Sequence, residues 1–308
     1  MTHDATVGYW DGVSDVTQPA FPASVGDLDY LSPARRMQVT FGELLSHFRV
    51  LGKDGVAEVH LRGAGAPIAK IVRPSPAEFK QQLVYLRSYA DLRIDRNPEI
   101  NVQTSDILSF FGSLAMLNAS RRKHTLELLQ LTQSLCVSIE MQVKHYCRAP
   151  RPIDWTHKVQ PVIQTPDHSA FPSGHATESF AIATVLSALD TGKGQVDVNH
   201  PAFLLAHRIA ANRVVAGVHF PVDSAAGAFL GCQIGDVINR MAAGGACSKA
   251  GYGPGEVALA GDQDFLPCWF RNHYKPAELE GAAPTSAALN EMVGKAQGEW
   301  STASGGSS

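Results

Sequence analysis

The stretch Pro172-Ser173-Gly174-His175 combines residue types that suit binding of an oxyanion. Pro-Ser-Gly ends the preceding structure and an apolar run with helical spacing follows, so Ser173 and Gly174 are predicted to lie at a helix N-terminus. Unpaired backbone N–H groups and the positive end of the helix dipole favour an anion there. Ser173 adds a hydroxyl donor, and His175 adds a side chain that titrates near neutral pH.

Two fixed cations, Lys144 and Arg151, precede this stretch. Apolar residues spaced by three and four predict a long helix that carries Lys144 on its last turns, and Pro150 and Pro152 end that helix. Arg151 therefore leaves the helix end one short loop from Lys144. An ammonium group and a planar guanidinium together match the needs of a multiply charged oxyanion.

A third stretch supplies Arg213, His219 and Asp223. Asp223 follows His219 by four residues, so one helical turn would bring the two side chains together. A histidine beside a carboxylate has a fixed tautomer and can act as a nucleophile, a base or a ligand. With Arg213 as a third cation, the three stretches predict one oxyanion pocket that also contains reactive side chains.

The order and spacing of these residues resemble the superfamily shared by type 2 phosphatidic acid phosphatases, bacterial class A acid phosphatases and vanadium-dependent haloperoxidases. The motifs read Lys144-x6-Arg151-Pro152, Pro172-Ser173-Gly174-His175 and Arg213-x5-His219-x3-Asp223, and they cover roughly a quarter of the chain. One departure is Asn212, which stands where the family usually has serine. Asparagine also donates and accepts hydrogen bonds, so the motif is expected to tolerate it.

The resemblance implies a fold and a set of residue roles. The implied fold is an all-α helical bundle of the acid phosphatase/vanadium haloperoxidase type, with the anion pocket between helix ends. His219 would attack phosphorus and form a phosphohistidine, Asp223 would orient the His219 ring, and His175 would protonate the leaving group and then activate water. The implied phosphate-binding or vanadate-binding residues are Lys144, Arg151, Ser173, Gly174 and Arg213.

The expected function is metal-independent hydrolysis of a phosphate monoester or a diphosphate ester, including lipid and prenyl esters, without a cofactor. The alternative is a vanadate-dependent haloperoxidase of the bromide type, with vanadate on His219. His168, seven residues before His175, resembles the bromide-using branch, but it also fits an ordinary polar residue at the pocket edge. The sequence His219-Phe220-Pro221 is closer to the phosphatases. Loss of diphosphate from an isoprenoid substrate is a further alternative.

Composition limits which classes of partner and which cellular location the sequence predicts. The 308-residue chain has a net charge of −3, which provides no electrostatic footprint for nucleic acid or an anionic membrane. The apolar runs are too short to span a bilayer, and the N-terminal residues lack a signal-peptide pattern. The five cysteines have no metal-ligand spacing, which indicates reduced thiols. We therefore expect a soluble cytoplasmic protein with a small-molecule substrate; the sequence also admits a homo-oligomer.

Three parts are predicted along the chain: an N-terminal arm with at most a small hairpin (1–75), a helical core (76–241) and a loop-rich extension with a flexible tail (242–308). The hairpin would pair residues 56–61, which alternate in polarity, with residues 68–72. Residues 91–104 are predicted to form a loop. Residues 153–170 are predicted to form an irregular connection and residues 191–200 a polar loop. Most of the remaining core carries helical periodicity, so the core is expected to pack helix on helix.

Overall fold

The computed structural model describes Val13, Thr17 and residues 24–193 and 196–301. Much of the predicted N-terminal arm and all of the predicted tail at 302–308 lie outside the described residues. The α-helices are α1 (Pro33–Leu45), α2 (Pro76–Tyr89), α3 (Arg93–Val102), α4 (Leu108–Ala115), α5 (Lys123–Cys147), α6 (Pro152–Trp155), α7 (Gly174–Thr191), α8 (Pro201–Val215), α9 (Pro221–Ala243), α10 (Pro267–His273) and α11 (Ala287–Ser301).

Helices α7 and α9 form the centre of the molecule. Every residue of α7 from Ala176 to Ser187 is buried, as is every residue of α9 from Pro221 to Ile238. The two helices approach closely because α9 presents glycine at Gly227 and Gly231. A Cβ on Gly227 would lie 2.5 Å from Ser173 O, and one on Gly231 would meet Thr177 O. This close contact brings the start of α7 against the start of α9.

Gly231→Ala is therefore expected to destabilise the protein by about 1–3 kcal/mol, because the added methyl group forces two packed helix backbones apart. Gly294→Ala is the matched control, since Gly294 is an exposed glycine within α11 whose Cβ would meet nothing within 4 Å. That change should stabilise by about 0.4–1 kcal/mol through the lower entropy of the unfolded chain. Urea unfolding measures both; equal effects of the two substitutions would refute the close-packing explanation.

The long helix α5 delivers Lys144 to the site. Its predicted apolar stripe is buried throughout, from Leu128 to Val143. At its start, the backbone N–H groups of His124 and Thr125 donate to the carboxylate of Glu299 in α11 at 2.8 and 2.9 Å. A carboxylate at a helix N-terminus satisfies unpaired donors and complements the helix dipole. The C-terminal helix thus supports the far end of the helix that carries Lys144.

A five-stranded sheet lies beside the helices, in the order β1-β2-β3-β4-β5. Its strands are β1 (Phe48–Lys53), β2 (Val56–Leu61), β3 (Ala69–Val72), β4 (Ala246–Tyr252) and β5 (Ala277–Ala282). All neighbours are antiparallel except β3 and β4, which are parallel. The protein is mostly helical (57%), but the all-α prediction missed this sheet.

The sequence-based prediction fails where the pairing is non-local. The hairpin predicted for 56–61 and 68–72 is present as β2 and β3. By contrast, the segment predicted to be loop-rich after residue 241 contains β4, α10, β5 and α11. β4 reads Ala-Cys-Ser-Lys-Ala-Gly-Tyr, which lacks a run of β-branched residues, and its partner β3 lies far away in sequence. The β3–β4 pairing joins the first and last predicted parts in one sheet.

The loop predicted at 91–104 is also wrong, because the chain forms a 3-10 turn (Ala90–Leu92) followed by α3. Pro98 lies inside α3 and weakens its helical signal in the sequence. Tertiary contacts compensate: Arg208 in α8 forms an ion pair with Glu99, and Arg93 Nε donates to Val215 O at 3.0 Å. Across the described part of the chain, no helix is both long and apolar enough to cross a membrane.

Candidate active site

The side chains predicted to form the pocket converge at helix ends. Lys144 lies on the last turn of α5, Arg151 immediately precedes α6, and Ser173 is the N-cap of α7. These side chains are all but completely buried, together with those of three residues from the third motif: Arg213, His219 and Asp223. Arg213 lies in the last turn of α8, Asp223 in the first turn of α9, and His219 in the connection between them.

His219 is held from both sides of its ring. Nδ1 lies 3.1 Å from Asp223 Oδ2, and Arg151 Nη1 donates to Nε2 at 3.1 Å. A guanidinium can only donate, so Nε2 is the acceptor and the proton lies on Nδ1, facing the carboxylate. Burial and the nearby cations lower the pKa of His219 well below its usual value. The histidine is therefore neutral, with its lone pair on Nε2.

Asp223 is fixed by its own surroundings. The backbone N–H of Phe220 donates to Oδ2 at 2.9 Å, and the carbonyl of Asp223 accepts from the Ser173 N–H at 2.9 Å. This second bond ties the start of α9 to the start of α7, so the second and third motifs share one backbone contact. Burial raises the pKa of the Asp223 carboxyl.

Arg151 and His168 form a pair at the pocket edge. Arg151 Nε donates to the backbone oxygen of His168 at 3.0 Å, and Nη2 donates to His168 Nδ1 at 3.2 Å. Nη1 also donates to Val218 O at 2.9 Å. His168 is half-buried, and burial lowers the pKa of its imidazole. The structure thus brings His168 to the edge of the pocket, where it holds the guanidinium of Arg151.

Lys144 holds the loop that leads into the second motif. Its Nζ donates to Ser169 O at 3.0 Å and to Pro172 O. Burial lowers the pKa of Lys144 to about 8, although the neighbouring Glu140 opposes this shift. Lys144 therefore loses its charge at a pH where an ordinary lysine keeps it.

We expect the rate of phosphoester hydrolysis, as kcat/KM, to fall above about pH 8, by up to tenfold per pH unit, as Lys144 deprotonates. The sign follows from the lowered pKa: the pocket has its full positive charge below that value and loses one charge above it. Lys144→Arg keeps the charge and should move the alkaline limb to higher pH. If that variant folds and binds phosphate but keeps the wild-type limb, Lys144 is not the titrating group.

Arg213 and His175 both form hydrogen bonds to residues at the C-terminal end of α3. Arg213 Nη2 donates to Ile100 O at 3.2 Å and to Gln103 Oε1 at 2.9 Å. His175 Nε2 lies 2.7 Å from Gln103 O. Burial and the charge of Arg213 lower the pKa of His175 to about 3, so its imidazole is neutral. Within the described residues, Arg213 Nε and Nη1 are buried without a hydrogen-bond partner.

Two buried carboxyl groups lie behind the second motif. Glu140 is one helical turn before Lys144 on α5, and its Oε1 packs directly against Gly174, where an added Cβ would displace it. Glu178 accepts from Gln133 Nε2 at 2.7 Å. Burial raises the pKa of both carboxyl groups. Burial therefore disfavours the charged form of both carboxyl groups next to the cations of the pocket.

Sequence reasoning missed Gln103 and Glu140, which contact motif residues, and Glu178, which lies one turn after the second motif. Glu140 could have been found from its spacing of four before Lys144 on a predicted helix. Gln103 carries no such signal, because its segment was predicted to be a loop. Asn212, the departure in the third motif, donates to Glu99 Oε2 at 3.0 Å and to Gln103 Oε1 at 3.1 Å.

Comparison with known proteins finds similarity over the helical core. Residues 126–243, which include all three motifs, match the model of the PAP2 superfamily. Over 138 residues the chain is 27% identical to decaprenylphosphoryl-5-phosphoribose phosphatase of Mycobacterium tuberculosis, in strains CDC 1551/Oshkosh and ATCC 25618/H37Rv; the match covers 45% of this chain and 71% of the relative.

A solved structure gives a looser match. It is the crystal structure of the first transmembrane PAP2-type phosphatidylglycerolphosphate phosphatase from Bacillus subtilis, with a TM-score of 0.38 and 17% identity, covering 68% of this chain and 94% of that chain. The family match covers the segment that carries the motif pattern. The segment that carries the three motifs is thus similar to the PAP2 superfamily.

Proposed function

We propose that the protein is a phosphoric ester hydrolase that cleaves a phosphate monoester or diphosphate ester through a phosphohistidine at His219. The observation that carries this proposal is the state of the His219 ring. Its Nδ1–H faces Asp223 and its Nε2 lone pair lies 3.1 Å from a guanidinium nitrogen of Arg151. A neutral imidazole with a fixed tautomer, enclosed by cations, suits in-line attack on phosphorus.

In the first step, phosphate oxygens replace the protein acceptors around the cations. A phosphate oxygen accepts from Arg151 more strongly than a neutral imidazole does, so binding releases the Nε2 lone pair. Nε2 then forms the N–P bond as the P–O bond to the leaving group breaks. Asp223 stabilises the positive charge that develops on the His219 ring, because its carboxylate already accepts the Nδ1 proton.

His175 donates a proton in the first step and accepts one in the second. Two negative charges on the bound phosphate oppose the effect of Arg213 and raise the pKa of His175, so the ring can give a proton to the leaving oxygen. The neutral ring then takes a proton from water as the water oxygen attacks phosphorus. The N–P bond breaks, phosphate leaves and His219 returns to its neutral form.

Three fixed cations take the electrostatic role that a divalent metal has in many phosphoryl-transfer enzymes. Lys144, Arg151 and Arg213 surround the pocket, and the N-terminus of α7 adds backbone donors. We therefore propose that no metal or cofactor is needed. A cytoplasmic location remains a prediction that cell fractionation would test.

The leaving group has room on one side of the pocket. A cleft of about 530 Å³ borders Lys144 and Arg151 and is lined by polar residues, including His145, Arg148 and His168. The mycobacterial relatives are named as phosphatases of a prenyl-linked sugar phosphate, so phosphorylated lipids and prenyl diphosphates belong in the first substrate panel.

Phosphate release by the purified, EDTA-treated protein tests this function. The panel runs from p-nitrophenyl phosphate to prenyl diphosphates, with and without orthovanadate. We expect release from at least one member, with inhibition by vanadate, because vanadate mimics the five-coordinate transition state. No release from any member, or activity indifferent to millimolar vanadate, would contradict the proposal.

The alternative function, a vanadate-dependent haloperoxidase, uses the same residues. Vanadate fits the pocket, since Arg213 Nε and Nη1 lack an acceptor among the described residues and His219 Nε2 could ligate it. Bound vanadate would supply the centre for peroxide chemistry. His168 is the residue that resembles the bromide-using branch. Its ring accepts a hydrogen bond from Arg151, and an Arg151 held in this way suits a phosphate pocket equally well. Bromide oxidation by the vanadate-loaded protein with peroxide would support the alternative; we expect none.

A further inference from the structure

Gln103 lies just after α3, outside the three motifs, and yet it contacts two of them. Its side-chain oxygen accepts from Arg213 Nη2 at 2.9 Å and from Asn212 Nδ2 at 3.1 Å. Its backbone oxygen accepts from His175 Nε2 at 2.7 Å. The residue is only 1% exposed. One buried glutamine therefore touches a cation and a proton-transfer residue of the same pocket.

The contact with Arg213 fixes the plane of its guanidinium. Both hydrogens of Nη2 have acceptors, one in Gln103 Oε1 and the other in Ile100 O. Because a guanidinium is planar, two acceptors on one nitrogen determine where the other donors point. Within the described residues, those on Nε and Nη1 have no acceptor, although they are buried. An oxyanion in the pocket would accept hydrogen bonds from these donors.

The contact with His175 fixes its tautomer. A backbone carbonyl can only accept, so the proton of the neutral ring lies on Nε2 and the lone pair lies on Nδ1. Nδ1 is thus the atom left for proton transfer with the substrate or with water. Rotation of the ring would break the bond to Gln103 O, so the same residue also limits the ring's orientation.

We propose that Gln103 is a positioning residue, which holds the Arg213 guanidinium and the His175 ring in the orientations that bound phosphate requires. The inference rests on the proposed function of the pocket. A neutral acceptor is needed at this position, because a carboxylate would pair with Arg213 and compete with the phosphate. Asn212 donates to the same oxygen, so the residue that departs from the usual family motif also keeps the amide of Gln103 in place.

If Gln103 had only a structural role, that role would be to anchor α3 to the rest of the protein. Other residues already anchor α3. Arg208 pairs with Glu99, and Arg93 donates to Val215 O and Val159 O. Among the described residues, the side chain of Arg208 bonds to Glu99 and not to a motif residue, and its side-chain exposure is 48%. Arg208→Met therefore weakens the anchoring of α3 without removing a contact to Arg213 or His175, which makes it the matched control.

Gln103→Met keeps the approximate size and removes the acceptor. We expect it to lower kcat/KM by about 10- to 100-fold, the effect of losing a hydrogen bond to a charged group, and Gln103→Glu to weaken phosphate binding. In an Arg213→Lys background the same Gln103→Met change should cost less than about threefold, because the group it positions is gone. Arg208→Met should stay within about threefold of wild type.

Three kinetic results would overturn the inference: a Gln103→Met variant within threefold of wild type, an equal loss in Arg208→Met, or an undiminished loss in the Arg213→Lys background. Calorimetric binding of orthovanadate separates this failure from failure of the proposed function, since it needs no turnover. If the wild type binds vanadate but hydrolyses nothing, a tenfold weaker Kd in Gln103→Met still supports the positioning role and an unchanged Kd refutes it. A wild type that binds no vanadate refutes both.

Discussion

Replacing His219 by alanine is expected to lower kcat for phosphoester hydrolysis at least a thousandfold, since loss of a nucleophile typically costs more than about 10³ in rate. The reason is geometric: His219 Nε2 holds the lone pair that faces the cations, and its ring is locked by Asp223 and Arg151. Steady-state kinetics on the best substrate of the panel measures the effect.

The control for this variant separates chemistry from folding and binding. His157→Ala removes an exposed histidine in a 3-10 turn and should leave kcat unchanged. His219→Ala keeps Lys144, Arg151 and Arg213, so it should still bind inorganic phosphate. A folded His219→Ala protein that binds phosphate and retains more than about a hundredth of the wild-type rate would show that His219 is not the nucleophile.

Asp223→Asn is expected to produce the second large loss, about 10²- to 10³-fold in kcat, because it removes the negative charge that stabilises the His219 ring in the transition state. The Phe220 N–H and His219 Nδ1 both bond to Oδ2 of Asp223, so an amide oxygen in that place keeps both bonds and the Nδ1–H tautomer. The neutral amide carries no negative charge, so it no longer stabilises the positive charge that develops on the ring as Nε2 attacks phosphorus.

Asp236→Asn is the matched control for that change, because Asp236 is also a buried aspartate of α9 and it bonds to Arg240 and the Ser248 N–H instead. We expect the control to lose stability and to keep kcat within about threefold. NMR of the imidazole nitrogens should show the proton still on Nδ1 in Asp223→Asn. A proton on Nε2 in that variant, or a kcat within threefold of wild type, would refute this explanation.

The positions of the pocket residues could be predicted because each motif contains its own structural signal. Ser173 and Gly174 precede an apolar helical run, Pro150 and Pro152 end α5, and the spacing from His219 to Asp223 equals one helical turn. These are local features, so they survive without knowledge of tertiary contacts. The convergence of the three stretches followed from the family resemblance and is observed in the hydrogen bonds that link them.

What the sequence did not reveal depends on non-local contacts. The β3–β4 pairing joins strands from opposite parts of the chain, and neither the composition of β4 nor its length signals a strand. Helix α3 contains Pro98 and is supported by tertiary contacts, among them the ion pair between Glu99 and Arg208. Since α3 was predicted to be a loop, the role of Gln103 behind Arg213 could not be anticipated.

The most direct test of the central claim is detection of the covalent intermediate. Rapid mixing with substrate, an alkaline quench that preserves phosphohistidine, and mass spectrometry of the peptide that contains His219 would show it. We expect phosphate on His219 during turnover, its disappearance after substrate is exhausted, and no modification of that peptide in His219→Ala. A burst of leaving-group release would mean that a covalent intermediate accumulates. Such a burst without phosphate on His219 would contradict the phosphohistidine mechanism.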